Sequence, residues 1–152
     1  MSDTHTQTIT PFLWFEDKVE EAIDFYMSIF KDSKKVSVMP GPNGTVMGAT
    51  FILNGQKFMA LNGGPTYKFT PAISFFIHCE TQPEVDELWE KLSAGGRTDR
   101  CGWLQDKYGL SWQVVPSALP RLLQHPDPDR RSRVLNAMMK MTKIDIAGLE
   151  SA

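Results

Sequence analysis

Val46-Met47-Gly48-Ala49-Thr50-Phe51-Ile52-Leu53-Asn54-Gly55-Gln56-Lys57-Phe58-Met59-Ala60-Leu61 is the stretch on which the fold turns. Two apolar runs of strand length flank Asn-Gly. That dipeptide is a strong hairpin signal, because a type I′ turn needs positive φ at both central residues. A further strand over residues 36–39 precedes them across Gly41-Pro42-Asn43-Gly44 and makes a three-strand meander. Upstream, Ile9-Thr10-Pro11-Phe12-Leu13-Trp14-Phe15 is short and aromatic, which suits a strand, and Pro11 places its beginning at a strand start or an edge. Between them, Val19, Ala22, Ile23, Phe25, Tyr26, Ile29 and Phe30 recur at three- and four-residue spacing, with Glu20, Glu21 and Asp24 outward. That spacing predicts an amphipathic helix whose acids lie at the favourable end of its dipole. The order is βαβββ.

The second half repeats it. Residues 71–79 read as a strand, and Thr81 with Glu84 makes a capping box for a helix through Val85, Leu88, Trp89 and Leu92. Gly95-Gly96 stops that helix. Three short strands follow, at 97–99, 101–105 and 110–115, the last two joined by a turn at Asp106-Lys107-Tyr108-Gly109. Thr10-Pro11 opens one half and Thr70-Pro71 the other. A period near 60 residues is a duplicated module and not a solenoid array. The fold class is therefore α+β, with paired βαβββ modules at 8–65 and 70–116 within a single domain, 1–152. A C-terminal helical segment, 117–147, follows, with a short helix after Pro116 and a final helix over 129–143. Val134, Leu135, Met138 and Met141 lie along that final helix.

Composition narrows the function. The chain has 152 residues, 41% hydrophobic and 22% charged, as an ordinary globular domain does. Sixteen basic against 18 acidic residues give a net charge of -2, which argues against a nucleic-acid groove. No apolar run reaches the length of a membrane helix, and residues 1–8 do not have the pattern of a signal peptide. Two cysteines without a Cys-x-x-Cys fit a reducing compartment. A cytoplasmic protein is expected.

The doubled module, with its first helix ending in Phe25-Tyr26, resembles the vicinal oxygen chelate superfamily, the glyoxalase/bleomycin-resistance fold. Ile9 to Phe15, Phe58-Met59-Ala60-Leu61-Asn62-Gly63-Gly64-Pro65 and Cys101-Gly102-Trp103-Leu104-Gln105-Asp106-Lys107-Tyr108-Gly109-Leu110-Ser111-Trp112-Gln113-Val114-Val115-Pro116 are similar to its PhnB-like branch, often labelled 3-demethylubiquinone-9 3-methyltransferase. The resemblance implies two modules curled into incomplete barrels whose concave faces make a ligand cavity. In metal-dependent relatives a divalent ion there acts as a Lewis acid on two neighbouring substrate oxygens.

The resemblance places the four ligand positions at Pro11, Met59 or Ala60 (a one-residue register doubt), Ser74 and Gln113. Proline and alanine have no donor, a thioether is too soft for magnesium, manganese or zinc, and serine and glutamine are neutral. No ordinary divalent site is built from that set, and neither a metal nor another cofactor is expected. No Gly-x-Gly-x-x-Gly follows a strand and opens a helix, so the glycine-rich turn of a typical S-adenosylmethionine site is missing as well. His5 and His125 lie away from the cavity. His78, two pleats from Ser74, shares its strand face. Cys101 reads as a small buried thiol on a cavity strand, a nucleophile only if a base activates it.

The implied cavity candidates are Leu13, Phe15, Phe58, Asn62, Ser74, Phe76, His78, Cys101, Trp103, Gln105, Gln113 and Val115. Aromatic walls with a few amides and hydroxyls suit a small uncharged aromatic or quinone-like molecule. Binding of such a molecule is the leading expectation, and an enzyme of lyase, isomerase or dioxygenase type is the alternative. Proteins of this resemblance usually pair. Here Leu135 and Met139, beside the Val134-Met138-Met141 line, are apolar area that one helix stripe does not bury, so a homodimer is expected.

Overall fold

The computed structural model describes residues 7–152. The chain divides into two compact units, Met1–Lys68 and Phe69–Ala152.

In the first unit, β1 (Phe12–Phe15), α1 (Val19–Ile29), β2 (Lys34–Pro40), β3 (Val46–Leu53) and β4 (Gln56–Asn62) follow in chain order. The open sheet runs β1-β4-β3-β2, with β1 parallel to β4 and the other pairs antiparallel. The β3–β4 turn has φ of 49° at Asn54 and 82° at Gly55, the two positive values a type I′ turn requires. β1 begins at Phe12 and not at Ile9. Pro11 has no N–H to give the ladder, although its carbonyl still accepts from Met59 N at 2.9 Å. One face of the sheet is covered by α1, through Val19, Ala22, Ile23 and Tyr26.

The second unit has the same plan. β5 (Ser74–Cys79), α2 (Gln82–Ser93), β6 (Arg97–Thr98), β7 (Trp103–Gln105) and β8 (Ser111–Pro116) form a sheet ordered β5-β8-β7-β6, with β5 and β8 parallel. Thr81 caps α2, its hydroxyl oxygen accepting from Glu84 N at 3.3 Å. β5 starts three residues later than the sequence suggests, since 71–73 form a turn. A buried carboxylate holds the β7–β8 connection. Asp106 accepts from Tyr108 N at 2.9 Å, Leu110 N at 3.1 Å and Trp112 Nε1 at 2.9 Å.

After β8 come α3 (Ala118–Leu123), α4 (Pro128–Met139) and α5 (Ile146–Glu150). The final helix expected over 129–143 thus stops at Met139, and a further short helix closes the chain. On a continued helix Ile144 would point about 80° away from Val134. Leaving the helix lets both reach one cluster with Val115, Leu119, Leu122 and Leu149, where Val134 and Ile144 are fully buried. The segment is also clasped to α2. Gln82 donates to Ile144 O at 3.0 Å and accepts from Ile146 N at 2.8 Å, and Lys143 lies 2.8 Å from Asp86. This ion pair, then the Gln82 hydrogen bond, lowers the Asp86 pKa from its usual value.

Candidate functional site

Strand alternation gives each sheet two faces, and the helix contacts decide which is covered. In the first unit, Phe15 meets Tyr26 of α1 with ring centroids 6.4 Å apart, and Asn62 Oδ1 accepts from Val19 N at 2.9 Å. Leu13, Phe15 and Phe58 are therefore core beneath α1, and Asn62 serves the N-terminus of that helix. These four cavity candidates stand on the covered face. Phe12, Trp14, Met59 and Leu61 alternate with them and occupy the uncovered face.

Trp14, which sequence reasoning did not select, is the best-held residue there. Its indole N–H donates to Gly64 O at 2.9 Å, and its ring meets Tyr67 edge-on at 5.0 Å. A Cβ at Gly63 would stand 2.1 Å from the indole, so only glycine permits this packing. The register also separates the two residues offered for the second ligand position. Ala60 faces α1 with Leu13, whereas Met59 faces the other way.

In the second unit, Phe75, Ile77, Cys79, Leu104, Trp112 and Val114 share the face toward α2. The opposite face carries Ser74, Phe76, His78, Trp103, Gln105, Gln113 and Val115, which are all the remaining candidates except Cys101. Gln113 Nε2 donates to Ser74 Oγ at 2.9 Å, joining β8 to β5 side chain to side chain. Phe76 is 45% exposed, and its ring lies 4.9 Å from that of His78. Val115 ends the row buried in the C-terminal cluster. Ser111 belongs to this face too. It stands two residues before Gln113, so the period of two was the signal that could have found it. None of these side chains on β5, β7 and β8 is an acid, lysine or arginine, so that part of the face is apolar and aromatic with neutral hydrogen-bonding points, and Arg97, opposite Gln105, adds a charge at its β6 edge.

Cys101 is a correction. It lies in the turn before β7, at φ 60°, with its thiol directed to Met138 O at 3.6 Å and its N–H bonded to Met141 O at 2.8 Å. The positive φ of Cys101 and Gly102 turns the chain toward the C-terminal segment, so this thiol anchors that segment and leaves the strand face. Burial pushes the Cys79 thiol up to about 11, with the Glu84 charge adding to the effect, so it stays protonated near neutral pH.

The family's metal positions can now be tested for chemistry. Pro11 offers no side-chain donor, Met59 a soft thioether, and Ser74 and Gln113 bond each other. That donor set does not fit a hard divalent ion. Among the described residues, no group of three or more His, Cys, Asp or Glu is placed to hold a metal ion. The strand-to-α-helix connections among the described residues, Glu16-Asp17-Lys18, Glu80-Thr81 and Ser117, contain no glycine to cradle a nucleotide-type cofactor. No helix among the described residues is long and apolar enough to cross a membrane.

Two open, mixed sheets, each with its own helix between first and second strands, define an α+β protein of the glyoxalase fold. The family model described as 3-demethylubiquinone-9 3-methyltransferase matches residues 7–115, so the chain belongs to that family, in its PhnB-like branch. It is 41% identical to a PhnB protein from Bacillus cereus that carries the same methyltransferase description, with a TM-score of 0.69 over 73% of this chain and 100% of that one. Protein PA1353 from Pseudomonas aeruginosa is 19% identical, with a TM-score of 0.63 over 73% of this chain and 98% of that one. A mutant of the fosfomycin resistance protein FosX from Listeria monocytogenes, complexed with Mn(II) and 1S,2S-dihydroxypropylphosphonic acid, is 16% identical. Its TM-score is 0.55 over 72% of this chain and 90% of that one, a likeness of fold alone. No curated protein matches.

Proposed function

We propose that this chain binds a small, uncharged aromatic or quinone-like molecule on the uncovered face of β5, β7 and β8, without a metal. The observation that carries this reading is the Ser74–Gln113 hydrogen bond. Two positions that resemble metal-ligand positions hold a neutral amide–hydroxyl pair, flanked by Trp103, Phe76 and His78. Such a surface contributes stacking area and a few fixed hydrogen-bond points, which suits a planar ligand without charge. His78 and Gln105 border the same face. The protein acts as a single domain over 1–152, in a reducing cytoplasm that keeps Cys79 and Cys101 as free thiols.

Calorimetric titration with 2,3-dimethyl-1,4-naphthoquinone tests the reading; its blocked ring carbons cannot add a thiol. Saturable binding is expected, weakened about tenfold or more by Trp103→Ala through loss of stacking area. A titration with no binding, or a Trp103→Ala variant that binds as the parent does, contradicts it.

The assembly we propose is a homodimer. Val134, Met138 and Met141 pack on the chain's own cluster, which leaves Leu135 and Met139 at 45% and 54% exposure on α4. These two side chains are the apolar contact for a second copy.

A further inference from the structure

One group on the β5–β8 face is not accounted for by its neighbours. Ser111 is 1% exposed, and among the described residues its Oγ has no hydrogen-bond partner. Buried hydroxyls in folded proteins are nearly always paired, so an orphan marks a place where something else supplies the partner. Ser111 stands opposite Ser74 on β5 and opposite Gln105 on β7, both only partly covered. Ser74 Oγ already accepts from Gln113 Nε2, and its own proton has no acceptor among the described residues. Two hydroxyl protons therefore sit on one face of adjacent strands, about 4.8 Å apart at the backbone.

A hydrocarbon ring cannot use them. A carboxylate would call for a free cation, and the one on this face, Arg97 opposite Gln105 at the β6 edge, is exposed and lies 3.5 Å from the Asp99 carboxylate. A carbonyl oxygen, neutral and with two lone pairs, accepts from both.

We propose that Ser111 and Ser74 together hold a carbonyl oxygen of the ligand, so that the molecule bound is an aryl ketone or quinone and not the parent hydrocarbon. This rests on the reading of the β5–β8 face as the binding surface, and it adds Ser111 as a binding residue. The Ser111 hydroxyl has almost no accessible surface, so the carbonyl meets it only as neighbouring side chains part, and the bond then made has no competition from bulk water.

The test uses the full chain and two probes of the same carbon skeleton, 2,3-dimethyl-1,4-naphthoquinone and 2,3-dimethylnaphthalene. The quinone is expected to bind roughly tenfold more tightly than the hydrocarbon, as two net hydrogen bonds would give. Ser111→Ala is expected to weaken the quinone about fivefold and leave the hydrocarbon unchanged. Ser74→Ala, at a partly exposed site, makes the same measurement should Ser111→Ala fail to fold. Equal affinities for the two probes in the parent protein overturn the proposal and leave an aromatic-binding face standing. So does a quinone preference that survives the variants, which assigns the Ser111 hydroxyl to a structural water. Failure of the parent protein to bind either probe removes both readings.

Discussion

Replacing Asp106 by asparagine changes one oxygen into an amide and should unsettle the hairpin that carries half of the candidate face. The carboxylate is 2% exposed and accepts from two backbone N–H groups on Oδ1 and from the Trp112 indole on Oδ2. Asparagine can keep the two backbone donors on its remaining oxygen. Its NH2 group then faces the Trp112 N–H, donor against donor. The variant loses one charge-assisted hydrogen bond, worth about 1.5–3 kcal/mol, and buries unmatched donors at about 1–3 kcal/mol. A loss of about 3–5 kcal/mol follows, a large share of the stability of a chain this size. Urea unfolding followed by far-ultraviolet circular dichroism reads it as a shift in midpoint at constant slope. Asp106→Asn combined with Trp112→Phe removes the facing donor, so the double variant should be less destabilised than the two single losses summed. A cost under 1 kcal/mol for Asp106→Asn, or strict additivity of the pair, refutes the reasoning.

Gly63→Ala places a methyl group into the Trp14 ring and should cost about 1–3 kcal/mol with a changed indole emission; an unchanged melting temperature contradicts the packing described. The Cys79 thiol titrates near 9.0 when unfolded and about 11 when folded, so its contribution is present below pH 9 and lost between pH 9 and 11. Over that window the parent protein should lose about 2–3 kcal/mol more stability than Cys79→Ala, and parallel pH curves refute this. Light scattering at micromolar protein should give the mass of two chains, and of one chain for Leu135→Ser with Met139→Ser; a parent protein with the mass of one chain rejects the dimer.

Local chemistry made most of the fold legible. Asn54-Gly55 admits positive φ at both turn residues, and Thr81 with Glu84 caps α2 as the sequence indicates. What stayed hidden depends on contacts distant along the chain. Alternation sorts β1 into Leu13 and Phe15 against Phe12 and Trp14, but it does not say which pair lies under α1. Size and aromaticity are no guide, because both sets are large and apolar. Asn62 looked like a polar point for a ligand, but its partner is the first N–H of α1, 43 residues away in sequence. Cys101 looked like part of a strand, until Met138, Met141 and Thr142 drew its turn toward the C-terminal segment. In the second unit Ser74, Phe76, His78, Trp103, Gln105 and Gln113 fall on one strand face, because their strands have a single strict period. Ser111 was overlooked in the same period, since an isolated serine shows no sign of being buried until the fold is seen.

The central claim, that Ser74 and Gln113 take the part of metal ligands with a neutral hydrogen bond, is tested most directly by titrating 2,3-dimethyl-1,4-naphthoquinone into the full chain twice, once with a chelator and once with excess Mn(II). Equal affinity in the two titrations, together with a loss on Gln113→Leu, is the expected result. Binding that appears only with Mn(II) would contradict it.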